Sequence, residues 1–245
     1  MHMPATHGRK PSRNSVIGVD GCRGGWVMAR RSLLTGEISV SIAPDFRNVV
    51  EAGADAAMTI VDMPIGLTDS GRRACEQLAR RLLGSPRASS VFPTPRRPML
   101  DFSDYAAANA WGKAQGKQNG GGLPKQTWAI LPRIREIDAL ITPAHQARLG
   151  EGHPEVAFAR LNGAKACLHS KRKREGREVR MALLTRHGVD GLSALVAGAG
   201  RSAKPDDVFD AIALSLTAEA RLNGEALRLT DEARDARGLV MEIWG

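Results

Sequence analysis

Two apolar runs in this chain end in an acid, and that repetition narrows the possible folds more than any other feature. Ser15-Val-Ile-Gly-Val-Asp20 and Ala57-Met-Thr-Ile-Val-Asp62 are short, rich in β-branched residues and almost unbroken in their apolar character. A run of that kind, the second above all, suits a strand buried on both faces in a sheet covered by helices. Between them, Gly25-Trp-Val-Met-Ala-Arg30 reads as a second strand and Glu37-Ile-Ser-Val-Ser-Ile42 alternates as a third. Short links containing glycine make these three an antiparallel meander. A helix over 46–53 then brings the chain back, so that 57–62 lies parallel to the first strand. The class is therefore α/β.

Further along, a helix is predicted over 70–83, with Arg72, Arg73, Arg80 and Arg81 on its polar side and Gly84 as its stop. Residues 85–127 are rich in Pro, Gly, Ser and Arg, with a weak helix over 104–113 and a hinge at Gly120-Gly-Gly122. A segment so long inside a compact domain is more often functional or mobile than inert. The pattern then predicts helices over 132–141, 177–187 and 205–222, and a short strand over 151–158. The last helix is the clearest, with Pro205 in its first turn, acids where the helix dipole favours them, and Val208, Ile212, Leu216 and Leu222 marking an apolar side.

With 245 residues the chain suits one large domain or two small ones. Residues 1–14, polar and without periodicity, read as a disordered tail, and 15–245 as a single domain with an insertion at about 85–148. At 42% hydrophobic and 25% charged residues, global disorder, collagen-like repeats and coiled coil are excluded. No apolar run approaches the roughly 18 residues of a membrane helix, and no secretory signal opens the chain, so the expectation is a soluble, cytoplasmic protein without a membrane partner. Cys22, Cys75 and Cys167 are widely spaced without a CxxC, which points to free thiols rather than a disulfide framework or a structural zinc.

The formal net charge of +9 is local. Residues 72–97 hold seven Arg and one acid, and residues 165–180 hold seven Lys and Arg against two acids. Such blocks are either solvated faces or contacts for phosphate, and nucleic acid, DNA or RNA, is the commonest polyanion to reward them. The candidate contacts are Arg72, Arg73, Arg87 and Arg96 in the first block, with Lys171, Arg172 and Arg174 in the second.

Strand ends and helix starts are where open α/β sheets place their sites. Asp20 and Asp62 end strands, while Asp207 and Asp210 stand i, i+3 at the start of the last helix, with Asp206 beside them. Taken singly, Asp20 serves equally well as a turn cap and Asp206 or Asp207 as a helix cap. Converging, they would need protons or a divalent cation, and hard oxygen donors suit one or two Mg²⁺ or Mn²⁺ ions. Glu155, on the strand expected over 151–158, is placed to complete the carboxylate set. His153 suits a ligand, a proton shuttle or a structural place at a strand edge. Lys171, Arg172 and Arg174 suit a phosphate clamp or a solvated loop. Trp26, Trp111 and Trp128 suit base stacking or the core equally. Gly21, Gly24 and Gly25 form a glycine-rich turn that lacks the P-loop pattern.

These motifs, in this order, resemble a known family: Val19-Asp-Gly-Cys-Arg-Gly-Gly-Trp26, Val61-Asp-Met-Pro-Ile-Gly-Leu67, Ser89-Ser-Val-Phe-Pro-Thr-Pro-Arg96, Lys125-Gln-Thr-Trp128, His153-Pro-Glu155, Ser170-Lys171 with Gly176 and Arg180, and Asp206-Asp-Val-Phe-Asp-Ala211. The family is the bacterial and archaeal domain of unknown function four-two-nine, described as predicted nucleases of the ribonuclease H-like fold. The resemblance spans about 16–221. It implies a mixed five-stranded sheet in the order 3-2-1-4-5 with helices on both faces. More distantly the chain is similar to the Holliday-junction resolvase branch of that fold, which implies Asp20, Asp62, Asp207 and Asp210 as metal ligands. That branch usually has Glu on the fourth strand, where this chain has the shorter Asp62 followed by Met63-Pro64.

The expected function is therefore a metal-dependent nuclease or phosphodiesterase, with Asp20, Asp62, Glu155, Asp207 and Asp210 as catalytic candidates and an oligomer compatible with the chain. Two alternatives share the features. One is a phosphoryl-transfer ATPase or kinase of the actin-like fold, which also opens with a strand, an acid and a glycine turn. The other is a nucleic-acid-binding protein without catalysis.

Overall fold

The computed structural model describes residues 13–245. The expected tail lies outside them save for its last two residues, of which Asn14 accepts a 2.8 Å hydrogen bond from the Leu33 N–H. Along the chain come β1 (Ser15–Cys22), β2 (Gly25–Ser32), β3 (Ile38–Ala43), α1 (Phe46–Ala52), β4 (Met58–Val61), α2 (Ala74–Arg87), α3 (Tyr105–Ala114), α4 (Lys125–Leu140) and β5 (Leu149–Glu151). After them come α5 (Pro154–Leu161), α6 (Arg174–Arg186), α7 (Leu192–Gly198), α8 (Pro205–Asn223), β6 (Arg228–Arg234) and β7 (Val240–Trp244). The main sheet has the expected order β3-β2-β1-β4-β5. Strands β1, β2 and β3 pair antiparallel, and β1–β4 and β4–β5 pair parallel.

Period-two alternation sorts the strand residues between two cores. Val16, Met58 and Ile60 pack with Val208, Ala211, Ile212 and Leu214 of α8, the longest helix, on one face. Ile17, Val19 and Val61 meet Phe46 and Val49 of α1 and Ile134 and Ile137 of α4 on the other. Gly18 shares the α8 face, and a Cβ there would fall inside the van der Waals shell of the Ala211 carbonyl oxygen and the Ser215 amide nitrogen. The helix rests directly on the β1 backbone. Gly18→Ala must lift α8 from the sheet and is expected to cost about 2–3 kcal/mol, read as a lower urea midpoint; an unchanged midpoint would contradict this packing.

Three elements depart from the sequence reading by four or more residues at a boundary, each for a local reason. The strand expected over 151–158 is β5 ending at Glu151, followed by a helix, because Pro154 sits in the first turn with its φ already helical and the His153 ring accepts from the Glu155 N–H at 3.2 Å. Helix α4 starts at Lys125 rather than 132 and runs through Pro132, held by Thr127, Leu131, Ile134 and Ile137, which are all buried. Helix α2 starts at Ala74, so Arg73 precedes it rather than lying on its polar face. Gly84, with φ +57°, ends its regular part as expected.

The β6–β7 hairpin and α7 had no clear sequence signal. Strand β6, Arg-Leu-Thr-Asp-Glu-Ala-Arg, is mostly polar, and only β7 buries apolar side chains: Met241 and Ile243 join Cys75, Ala79, Leu83 and Val156. All three cysteines are free and buried, and burial pushes the Cys75 thiol up to about 12, leaving it inert at neutral pH. Among the described residues no helix is long and apolar enough to cross a membrane.

Candidate active site

The site follows from strand register. Val19 pairs with Val61 in the parallel β1–β4 ladder, and the Asp62 N–H donates to the Val19 carbonyl at 2.9 Å, so the next step along both chains sets Asp20 beside Asp62. By parity both carry their side chains toward the face covered by α8, as do Gly18 and Ile60 two residues earlier. Asp210, in the second turn of α8, is 1% exposed, and Asp20 is 8% exposed. Carboxylates from three separate elements thus meet at the C-terminal edge of the sheet. Asp20 Oδ1 accepts from the Gly21 N–H at 2.7 Å, which fixes its orientation.

A cation stands among them. Lys171 Nζ is ion-paired with Asp210 Oδ2, while Asp210 Oδ1 is buried without a hydrogen-bond partner. Burial works against the Lys171 ammonium, but the charges of Asp210 and Asp20, the hydrogen bond to Asp210 and the charge of Asp62 outweigh it and raise its pKa. Burial pushes Asp210 up to about 7, against the pull of Lys171, with Asp62 and Glu155 adding to the rise. Burial, then the charges of Asp62 and Asp210, hold Asp20 well above the carboxylate range. Asp62 is raised too, again first by burial, although His153, Lys171 and a hydrogen bond from Asp20 favour its charged form.

Glu151, at the end of β5, is lifted by burial to about 7 despite its ion pair with Arg73. Each of these four carboxyls keeps its proton to a higher pH in the folded chain than in the unfolded one. Between the ordinary range near about 4 and about 7, the folded state binds more protons, and their combined contribution to stability falls as pH rises. The expected result is a melting temperature lower at pH 8 than at pH 5.5, with a shallower decline in Asp210→Asn. Identical declines in the two proteins would count against Asp210 holding its proton through burial.

The remaining candidates divide by partner. Glu155 lines the site, but both of its oxygens take 2.7 Å hydrogen bonds from Arg180 Nη2, which makes it a structural anchor. Asp207 is half-buried in the first turn of α8, where its Oδ2 accepts from the Lys204 N–H at 2.9 Å as a helix cap, and its charge adds to the rise at Asp20. Two of the expected phosphate contacts are corrected. Arg73 is 1% exposed between Glu151 and Glu76, and Arg96 is buried, donating to the Asn119 and Gly121 carbonyls and lying over the Trp111 ring. Both hold the fold together rather than face solvent. Arg72 is exposed and does not line the cavity, and Arg174 pairs with Glu178 on the surface. Trp26 is buried in the core, and Trp111 and Trp128 pack against Met99, Ala108 and Leu123.

Arg87, Lys171 and Arg172 do reach the site. They line a cavity of about 400 Å³ together with Asp20, Asp62 and His153. Phe92, Gln126 and Arg133 share that wall. Phe92 and Gln126 stand in two of the motifs that carry the family resemblance, whereas nothing in the sequence marks Arg133. As to a divalent cation, the chemistry of the donor set suits one, with hard carboxylate oxygens and an orphaned Asp210 Oδ1. As arranged here, no group of three His, Cys, Asp or Glu among the described residues is close enough to hold an ion, and the Lys171 ammonium supplies the countercharge.

A family model described as "Protein of unknown function (DUF429)" matches residues 18–235. No curated protein and no solved structure matches the chain.

Proposed function

Starting from the premise that the chain belongs to the DUF429 family, we propose that it is a phosphodiesterase that cleaves nucleic acid at the Asp20–Asp62–Asp210 centre with a divalent cation. The observation that carries the reading is the meeting of three buried or half-buried carboxylates from β1, the end of β4 and α8, with Asp210 Oδ1 left unpartnered, beside a cavity edged by Arg87, Lys171 and Arg172. The sheet order and the acids on the first strand, after the fourth and on the last helix support assignment to the ribonuclease H-like fold. Asp20, Asp62 and Asp210 would hold Mg²⁺ or Mn²⁺, which when bound polarises the scissile phosphate and lowers the pKa of an attacking water.

The chain's own residues account for the rest. Lys171 leaves Asp210 and pairs with the substrate phosphate, exchanging one anion for another. Arg172 adds a second charge-assisted contact to the phosphate. His153, whose Nδ1 accepts from the Glu155 N–H, keeps Nε2–H as a hydrogen-bond donor to the leaving oxygen. Glu155 and Arg180 position the helix start from which His153 acts.

Isothermal titration of Mn²⁺ and Mg²⁺ into wild type and Asp20→Asn tests the centre, followed by metal-dependent cleavage of a panel of DNA and RNA. Saturable binding lost in the variant, with cleavage by wild type alone, supports the reading. Nucleic-acid binding that ignores metal, without cleavage of any substrate, would replace it with a binding protein.

A further inference from the structure

The walls of the carboxylate cavity say what form of nucleic acid it admits, an inference that rests on the phosphodiesterase reading and narrows its substrate. Asp20 and Asp62 line a concave cavity, with Asp210 buried behind them. Side chains of helix α4, of the 90–94 segment and of the Ser170–Lys171–Arg172 loop complete its lining. A volume of about 400 Å³ falls in the range of about 300–1,000 Å³ typical of small-ligand pockets. Duplex DNA is a stiff rod with its bases stacked inside, and its persistence length is about 50 nm. Such a rod does not fit a concave site of that size, whereas a nucleotide with an unpaired base can enter it.

Two further features fit an unpaired nucleotide. Phe92 is one of the few large apolar side chains left open to solvent, at 44% exposure, and it stands on the cavity wall. The acids around it are mostly neutralised internally, Glu151 and Glu76 by Arg73 and Glu155 by Arg180. The wall guanidiniums of Arg87, Arg133 and Arg172 have no carboxylate partner among the described residues, and Arg87 Nε is buried without any hydrogen-bond partner. Aromatic surface beside unneutralised cations is the pairing by which proteins hold single strands, one for the face of the base and the other for the phosphates.

We propose that the cavity takes a single unpaired nucleotide of single-stranded nucleic acid, with its base stacked on Phe92 and its flanking phosphates held by Arg87 and Arg172, and that it excludes intact duplex. Fluorescence anisotropy in EDTA, with a short labelled single strand as DNA and as RNA and a blunt hairpin duplex of the same sequence, tests this without metal or cleavage. Tighter binding of the single strand than of the duplex is expected. Phe92→Ala should weaken the single strand by roughly 5- to 150-fold without lowering the melting temperature, and Phe92→Trp should keep the preference. Duplex binding as tight as single-strand binding overturns the proposal, as does loss of the preference in Phe92→Trp. The DNA and RNA arms separate the two sources of the same chemistry. Because binding is read without a divalent ion, a protein that cleaves no substrate with Mn²⁺ or Mg²⁺ but prefers single strands would refute the cleavage reading and leave this assignment standing.

Discussion

Asp20→Asn is expected to raise the melting temperature at pH 8 while lowering metal-dependent cleavage by on the order of 10²–10³-fold. The two effects share one cause. Asp20 is held well above the carboxylate range by burial and by the charges of Asp62 and Asp210, so ionising it costs the folded state. An amide removes that charge. It keeps an Oδ1 for the Gly21 N–H, and its Nδ2 can donate to Asp62 at every pH, as the Asp20 carboxyl does only while protonated. Each pKa unit of unfavourable interaction relieved is worth about 1.4 kcal/mol, and about 2–4 °C of melting temperature follows per kcal/mol in a chain of this size. Function loses because a divalent cation needs the negative oxygen that asparagine lacks. Thermal melts at pH 5.5 and pH 8 beside a cleavage assay check both halves. A variant less stable than wild type at pH 8 would show that Asp20 is a structural acid satisfied by its neighbours.

Arg180→Met is expected to destabilise the protein by about 3–5 kcal/mol. Arg180 is 1% exposed, and its guanidinium grips both oxygens of Glu155 and donates to the His169 and Gly176 carbonyls. Truncation leaves a buried carboxylate without its donor and removes one hydrogen bond from each of the two carbonyls. The same contacts tie the strand–helix junction bearing His153 to the loop bearing Lys171, so the geometry of the cationic wall should degrade with stability. Glu155→Met combined with Arg180→Met removes both charges together and should recover much of the loss, because a buried ion pair replaced whole by apolar side chains is often neutral. Urea unfolding of the two single variants and the double variant measures the coupling. Additive losses would show that the two side chains act independently.

The acids that end two apolar runs and open the last helix made the carboxylate set legible in the sequence, and the family resemblance implied the same residues. That Asp20 and Asp62 share a face follows from the register of β1 and β4, and Asp210 lies in the buried stripe of α8 with Val208, Ala211, Ile212 and Ser215. The same reasoning could not separate Asp207 from Asp210, because i, i+3 neighbours look alike until the helix is docked. Docking turns Asp210 inward, while Asp207 bonds to the Lys204 N–H.

Basic residues were the least legible. Arg73 and Arg87 stand in one charge block, and nothing in their spacing says that Arg73 disappears against Glu151 while Arg87 borders the cavity. An arginine's role depends on whether a carboxylate from a distant strand arrives beside it. Likewise His153-Pro-Glu155 has the look of a strand edge, and only the helix that starts at Pro154 shows the ring acting as a cap.

By itself, then, the amino-acid sequence determined what local periodicity encodes: the first four strands, the antiparallel meander of three of them, the strand ends and helix start that carry the acids, and the long closing helix. Tertiary structure decided which charges meet. Lys171 against Asp210, Arg180 against Glu155 and Phe92 on the cavity wall are contacts between segments far apart in the chain. Their energies depend on distance and burial, and neither quantity exists until the chain has closed on itself.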